Sequence, residues 1–180
     1  MDPWQRRIHR AQELARRFPL SAELMYFYRD IARFQSAHTA TDDAALRAFL
    51  RRDPEAPLAA FLRRVLDSPA PHHGPCVPLA AIRRAEGRFL LCAGCFTEIP
   101  APPPGTCPSC ARAPLRIHTG AEFPHIRVEA CDHCRAYLKS IDLALDPDAV
   151  PEIDELAAVP LDLWAVRHGY RKPAPNLFGL

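Results

Sequence analysis

The sequence predicts an α+β fold: an N-terminal small helical bundle, then two tandem β-hairpin modules that each carry a metal site, then a C-terminal helical tail. Apolar residues recur about every 3.6 positions through the first part of the chain, which indicates amphipathic helices. A segment rich in Pro and Gly at 67–75 ends this pattern, and paired cysteines beyond it flank short strand-like runs. We therefore expect four units, at residues 1–70, 71–100, 101–140 and 141–180.

Four short helices account for the N-terminal unit. Ile8, Ala11 and Leu14 share one stripe of the first helix, which should end near Pro19. Ser21 is a suitable N-cap for a second helix that runs to about residue 38. Its predicted apolar face consists of Leu24, Phe27, Tyr28, Ile31 and Phe34. Start signals at Thr41 and Pro57 predict the third and fourth helices.

Two similar units follow, each with the order strand, turn, strand and cysteine pair. The first has strands over 78–84 and 88–91 and leads into Cys92. The second has strands over 115–119 and 125–130 and leads into Cys131. This is an internal repeat, and the Pro-rich segment between its copies cannot form a central strand.

Helical signals return near the C-terminus. Pro151 begins a segment whose first turn is acidic, which suits a helix N-terminus. Residues 160–168 predict a further helical turn or two, and Gly169 fits the position just after the helix. These two helices form the predicted C-terminal tail.

Six of the seven cysteines lie in Cys-x-x-Cys pairs, and His73 and Cys76 have the same spacing. Two residues at this spacing can ligate one ion from a tight turn. The chain opens MDPWQRR with no apolar run behind it, so no signal peptide is expected and we predict a cytoplasmic protein. Because cytoplasmic thiols stay reduced, metal ligation is favoured over disulfides or redox-active thiols.

A hairpin returns the chain to its starting point, so neighbouring cysteine pairs can share one ion. Site one would then comprise His73, Cys76, Cys92 and Cys95. Site two would comprise Cys107, Cys110, Cys131 and Cys134. In the alternative, nested pairing, Cys92 and Cys95 share one ion with Cys107 and Cys110. Each site has four ligands and no open position, as structural sites do, and the spacing does not separate zinc from iron.

The remaining histidines are weaker candidates. His72 is the spare ligand for site one, should His73 not bind. His118, His125 and His133 lie near site two in the sequence, but four cysteines already fill that site. We interpret these three as surface residues, or as residues that support the ligands.

Residues 131–139, which read CDHCRAYLK, and residues 161–170, which read LDLWAVRHGY and are followed by Asn176-Leu-Phe, resemble the formate dehydrogenase accessory protein family of the FdhE type. The pattern after the last cysteine pair is the specific part of the likeness. The helical segments around Arg10 and Pro19 are similar to that family as well.

The resemblance implies a cytoplasmic, non-enzymatic maturation factor that acts on the catalytic subunit of respiratory, molybdenum-type formate dehydrogenases before export. It implies an all-helical region and two rubredoxin-like modules that bind iron. The residues themselves predict two metal ions, iron or zinc, in rubredoxin-like or zinc-ribbon modules. The three Cys-x-x-Cys pairs match three of the family's four pairs, and His73 with Cys76 would match the first, with one ligand changed. No residue after a second cysteine is the customary Gly, and the chain is shorter than usual for the family.

Two rivals remain at this stage. A zinc-ribbon protein that binds nucleic acid would need a basic surface, but acidic and basic residues are nearly balanced over 68–135, so we expect no nucleic-acid partner. A small rubredoxin-like electron carrier would need iron at site two. The sequence contains no phosphate-binding loop, nucleophile elbow or His-Glu-x-x-His motif and no predicted membrane span, and it leaves a homodimer open.

Overall fold

A computed structural model describes residues 3–37, 76–93 and 96–174. The elements in chain order are α1 (Pro3–Arg17), a 3-10 turn (Pro19–Ser21), α2 (Ala22–Ala37), β1 (Pro78–Arg84), β2 (Gly87–Cys92), β3 (Glu98–Pro100), β4 (Arg116–Thr119), β5 (Ile126–Ala130), β6 (Tyr137–Asp142), α3 (Pro151–Ala157) and α4 (Val159–Arg167). The α+β class is confirmed. The predicted helices that begin at Thr41 and Pro57 lie outside the described residues.

All six strands form one sheet, with the order β3-β2-β1-β6-β5-β4. Both predicted hairpins are present, as the antiparallel pairs β1–β2 and β4–β5. Between them lies β6, a strand that the sequence did not predict; it runs parallel to β1 and antiparallel to β5. Two separate tandem modules are therefore not confirmed, because the hairpins share a sheet, and the division into four units stays a prediction.

Helices α1, α2 and α3 pack on one face of this sheet, which we call the helix face. Its core is continuous across helices and strands and includes Leu14, Met25, Ile82, Ile141 and Ile153, all fully buried. On the opposite face a smaller apolar cluster comprises Ala81, Leu90 and Leu138. Ile99 and Ala101 from the Pro-rich segment pack against it.

The predicted buried stripe is confirmed for α1, and the predicted apolar face is confirmed in part for α2. Ile8, Ala11 and Leu14 form the buried stripe of α1, as expected. In α2, Tyr28 of the predicted face is buried, Leu24 and Phe27 are partly buried, and the side chains of Ile31 and Phe34 lie outside the described residues. Met25 and Ala32, which were not part of that prediction, are fully buried, and α2 packs against both α1 and α3.

Local contacts and backbone conformation fix the position of the C-terminal helices α3 and α4. The hydroxyl of Ser21, expected to cap α2, donates a hydrogen bond of 2.6 Å to the carbonyl of Ala157 and so ties the start of α2 to the end of α3. Helix α3 begins at Pro151, as predicted. Gly169 follows α4 with φ +77°, the left-handed conformation that ends a helix. No helix in the described part of the chain is long and apolar enough to cross a membrane.

Candidate metal centre

Two Cys-x-x-Cys turns, which we call knuckles, lie at the same end of the sheet. The Cys107 knuckle precedes β4, and the Cys131 knuckle connects β5 to β6. In each knuckle the amide of the first cysteine donates to the carbonyl five residues later, and the amide four residues later donates back to the first cysteine. The hydrogen bonds are Cys107 N to Arg112 O at 2.8 Å, Ala111 N to Cys107 O at 2.9 Å, Cys131 N to Ala136 O at 2.8 Å and Arg135 N to Cys131 O at 2.9 Å.

The two knuckles bring four sulfur atoms together. Cys107 Sγ lies 3.6 Å from Cys134 Sγ, and Cys110 Sγ lies 3.6 Å from Cys131 Sγ. All four sulfurs lie within 4.8 Å of one another. A tetrahedral ion with metal–sulfur bonds of about 2.3 Å separates its ligands by about 3.8 Å. The four cysteines therefore fit a zinc or iron ion in the predicted sequential pairing.

Backbone amides around the sulfurs favour thiolates. Burial of the Cys131 sulfur acts to raise its pKa, but hydrogen bonds from the amides of Cys134 and His133 and from neighbouring sulfurs outweigh burial and lower the pKa to about 7. At Cys134, burial and the three neighbouring sulfurs raise the pKa to about 12. Four close sulfurs without a cation thus resist deprotonation together, and a metal ion supplies the charge that would hold all four as thiolates.

The Cys92 turn has the same backbone pattern as the two knuckles. Cys92 N donates to Thr97 O at 3.0 Å, and Phe96 N donates to Cys92 O at 3.1 Å. Ala93 N also donates to Val77 O at 2.9 Å, which places the residue after Cys76 beside this turn. This backbone is the one that a second metal knuckle needs.

Two of the four members of site one, His73 and Cys95, lie outside the described residues. Cys76 is partly buried and Cys92 is buried, whereas Cys95, His73 and the spare candidate His72 are not described. The ligand set of site one, and the binding of metal at either site, therefore stay predictions.

A C-terminal segment clamps the Cys131 knuckle. The hydroxyl of Tyr170 donates to Asp132 Oδ1 at 2.6 Å, inside the knuckle. The Arg135 guanidinium lies 4.0 Å from the centre of the Tyr170 ring. Tyr137 N donates to Arg171 O at 3.0 Å, and Arg171 N donates to Arg135 O at 2.8 Å. The Gly-Tyr pattern that supports the family resemblance thus contacts the candidate centre directly.

Behind the knuckle, both lysines of the chain are buried in one polar network. Lys139 Nζ donates to Asp162 Oδ2 at 2.6 Å and lies 2.9 Å from Glu155 Oε1. Lys172 pairs with Glu155, and Tyr137 Oη donates to Asp162 Oδ1 at 2.8 Å. The network holds β6 against α3 and α4. Sequence reasoning missed it, although both lysines in an Arg-rich chain fall in the FdhE-like segment.

A second group of potential ligands, His125, Asp146 and Asp154, already contains a fixed cation. Arg10 of α1 donates to Asp154 Oδ2 at 2.9 Å and to Asp146 Oδ2 at 2.7 Å, and His125 Nε2 donates to Asp154 Oδ1 at 2.9 Å. Its guanidinium stays protonated and is 2% exposed, so it takes the place of a metal ion.

The three histidines near site two thus have different surroundings. The prediction for His125 needs correction, because it is neither a surface residue nor bonded to a cysteine: its side chain is buried against Asp154. His133 is exposed, as expected. His118 is partly buried, with its ring 4.3 Å from that of Trp164.

Comparison with known proteins shows which proteins the chain is similar to. Residues 114–178 match the family model described as FdhE, C-terminal domain. The resemblance to the FdhE type is thereby confirmed. Two curated relatives named Protein FdhE homolog, from Aquifex aeolicus and Stutzerimonas stutzeri, are 35% identical over 95 residues and 33% identical over 107 residues. These alignments cover 51% and 56% of the chain but only 33% and 35% of the relatives, so the chain spans about a third of their length.

A solved structure shares the fold of this chain. The crystal structure of the FdhE protein from Pseudomonas aeruginosa matches with a TM-score of 0.68 at 20% sequence identity. The match covers 97% of this chain and 94% of the other. The helices on one face of a six-stranded sheet are therefore common to both proteins.

Proposed function

We propose that the chain is a cytoplasmic, non-enzymatic accessory protein that assists the maturation of a formate dehydrogenase by docking on its catalytic subunit. The four-sulfur cluster of Cys107, Cys110, Cys131 and Cys134 carries this proposal, because it lies next to the segment shared with FdhE proteins. That segment clamps the Cys131 knuckle through Tyr170. The segment that matches the family model thus contains two of the four cysteines and the residue that clamps their knuckle.

The centre would act by holding a docking surface in shape. Four cysteine ligands leave no open position for substrate, so the ion supplies structural cross-linking, or electron transfer if it is iron. Cys107 and Cys131 are buried, whereas Cys110 and Cys134 are half-buried. Exposed Ser109 and His133 surround the outer sulfurs. We propose that this end of the sheet, from residue 107 to 112 and from 131 to 135, contacts the partner.

A pull-down of the tagged full chain from its native host, with metal quantification on the same sample, tests the proposal. The wild type should retain two ions per chain and a formate dehydrogenase catalytic subunit. Cys131→Ala should lose one ion and the partner, because the remaining three sulfurs no longer close the site. Thr119→Ala, which alters an exposed hydroxyl at the end of β4 away from the knuckles, should lose neither.

Each of the following results would contradict one part of the proposal or favour an alternative function. Retention of the catalytic subunit by Cys131→Ala without metal would refute docking through the centre. Absence of that subunit from the wild-type sample would refute the accessory function. Salt-sensitive nucleic-acid binding would favour the ribbon rival, and zinc alone in anaerobically purified protein would exclude the electron carrier.

A third variant addresses site one. We propose His73, Cys76, Cys92 and Cys95 as its ligands. Cys92→Ala should remove one ion while the Cys107 and Cys131 knuckles keep theirs. Unchanged metal content would show that the first site is not a metal site.

A further inference from the structure

A pocket on the opposite face of the sheet is lined mainly by arginines. Its volume is about 230 Å³. Arg83, Arg84, Arg88 and Arg127 supply four guanidinium groups, and Glu129 is the acidic residue in the lining. Pro104, Gly105 and Leu115, from the segment that connects the hairpins, close one side. The pocket therefore lies between the first hairpin and the second.

Arg88 has buried donors without acceptors. Its side chain is 9% exposed, and its Nη2 donates to Glu129 Oε2 at 2.6 Å. Within the described part of the chain, Nε and Nη1 of Arg88 have no hydrogen-bond partner. A buried charged donor without an acceptor destabilises the folded state, so such groups normally have a ligand or ordered water.

Arg127 and Ser140 also have buried polar groups without a hydrogen-bond partner among the described residues. Arg127 donates through Nη2 to Glu129 Oε1 at 2.9 Å, while its buried Nε lacks an acceptor among the described residues. Ser140 stands opposite Arg127 in the β5–β6 register, so its side chain lies on the same face. The buried hydroxyl of Ser140 likewise has no partner in this part of the structure. Three side chains on one face thus hold unused hydrogen-bond donors.

The lining of the pocket itself holds four guanidinium groups and one carboxylate. Outside the lining, Arg83 pairs with Asp142 at 3.0 Å, and Arg84 pairs with Glu98 and lies 4.0 Å from Glu86. Arg88 and Arg127 share the single carboxylate of Glu129. Burial acts to raise the pKa of Glu129, but the two guanidinium groups outweigh burial and hold the pKa below its usual range. Glu129 therefore stays ionised, and within the lining it offsets one of the four positive charges.

We propose that this pocket binds a phosphate group. The unused donors in the lining lie on two nitrogens of Arg88 and on Arg127. A tetrahedral oxyanion offers acceptors in several directions, whereas a carboxylate offers only two oxygens in one plane. The pocket adjoins the candidate metal centre, because Arg88 and Glu129 also line a small cavity with Cys107. This site lies beyond the proposed function and does not depend on it.

Side-chain NMR of the full chain labelled with ¹⁵N-arginine tests the proposal with inorganic phosphate as the probe. Millimolar phosphate should shift the Nε–H signals of Arg88 and Arg127 and leave that of exposed Arg167 in place. Sodium chloride at equal ionic strength controls for screening. If water alone fills the pocket, phosphate will shift neither signal, and that result would overturn the proposal, as would a larger response to acetate than to phosphate.

Two variants sharpen the test. Arg127→Gln should weaken phosphate binding about tenfold, because it removes a charge-assisted donor, whereas Arg167→Gln should not change the affinity. Glu129→Gln should strengthen binding several-fold, since it removes the competing anion. Thermal unfolding of each variant verifies that it is folded. Equal affinity in Arg127→Gln, or weaker binding in folded Glu129→Gln, would contradict the assignment.

Discussion

Phe96, Ala111 and Arg135 each follow the second cysteine of a pair, and each has a left-handed backbone, with φ of 54°, 57° and 60°. This conformation costs a residue other than glycine about 1–2 kcal/mol. Arg135 recovers part of that cost through its contacts with Gly169 O and the Tyr170 ring. Ala111 has only an exposed methyl group, so the strain at this residue is not offset.

Replacing Ala111 by Gly should therefore stabilise the protein. Glycine adopts this φ freely, and after allowance for its greater entropy in the unfolded state the gain should be about 0.5–1 kcal/mol. Urea unfolding of the metal-loaded protein measures the free energy. Ala121→Gly is the matched control: Ala121 is also exposed but is not among the described residues with positive φ, so this change should destabilise. A lower unfolding free energy for Ala111→Gly would contradict the argument.

At the scale of elements, β6 connects the parts of the fold. It pairs with both hairpins, and its side chains Tyr137, Lys139 and Ile141 point to the helix face. Burial acts to lower the pKa of Lys139, and the acceptors of Asp162 offset it only in part. Lys139 also lies 3.4 Å from Ala158 O, at the end of α3. Lys139 therefore donates hydrogen bonds both to a carboxylate and to carbonyl groups at the end of α3.

Lys139→Met should cost more stability than Lys172→Met. The first change leaves carbonyl groups of α3 without their donor and leaves Asp162 short of a cation, which should lower the unfolding free energy by about 3–5 kcal/mol. After the second change, Lys139 still faces Glu155 and Asp162, so the loss should be about half as large. Urea denaturation of the two variants makes the comparison. Equal losses would show that the lysines are interchangeable and that the carbonyl contacts contribute nothing.

Over the whole molecule, the sequence predicted features that depend on neighbouring residues. It missed features that depend on contacts between residues far apart in the chain. Hairpin geometry predicted the pairing of Cys107 with Cys131, and a nested pairing was the alternative. The strand β6 was missed because Lys139 and Ser140 look like solvent-exposed residues. The burial of Lys139 depends on Glu155 and Asp162, which lie 16 and 23 positions away. Pairing of β1 with β6 joins residues 80 and 139, and no local pattern encodes a parallel pair that distant.

The contact between Arg10 of α1 and Asp154 of α3 joins the N-terminal and C-terminal helices. It should make the free energy of unfolding depend on pH. Arg10 of α1 and His125 bind Asp154 of α3. Burial acts to raise the pKa of Asp154, but these partners outweigh burial and hold the pKa below its ordinary value. A carboxyl group whose pKa is depressed by folding contributes stability above its unfolded pKa of about 4, and the contribution is lost as pH falls through the folded pKa.

Asp154→Asn should therefore lower the unfolding free energy by about 3–5 kcal/mol at neutral pH, since it leaves Arg10 buried without its main partner. The gap between the wild type and the variant should narrow steadily below about pH 4. Urea titrations from neutral to acidic pH measure both curves, and their difference removes any acid loss of metal that the two proteins share. Asp148→Asn, at an exposed position near α3, should follow the wild type throughout. A gap that stays constant down to the acid transition would mean that Asp154 does not couple the two parts through its charge.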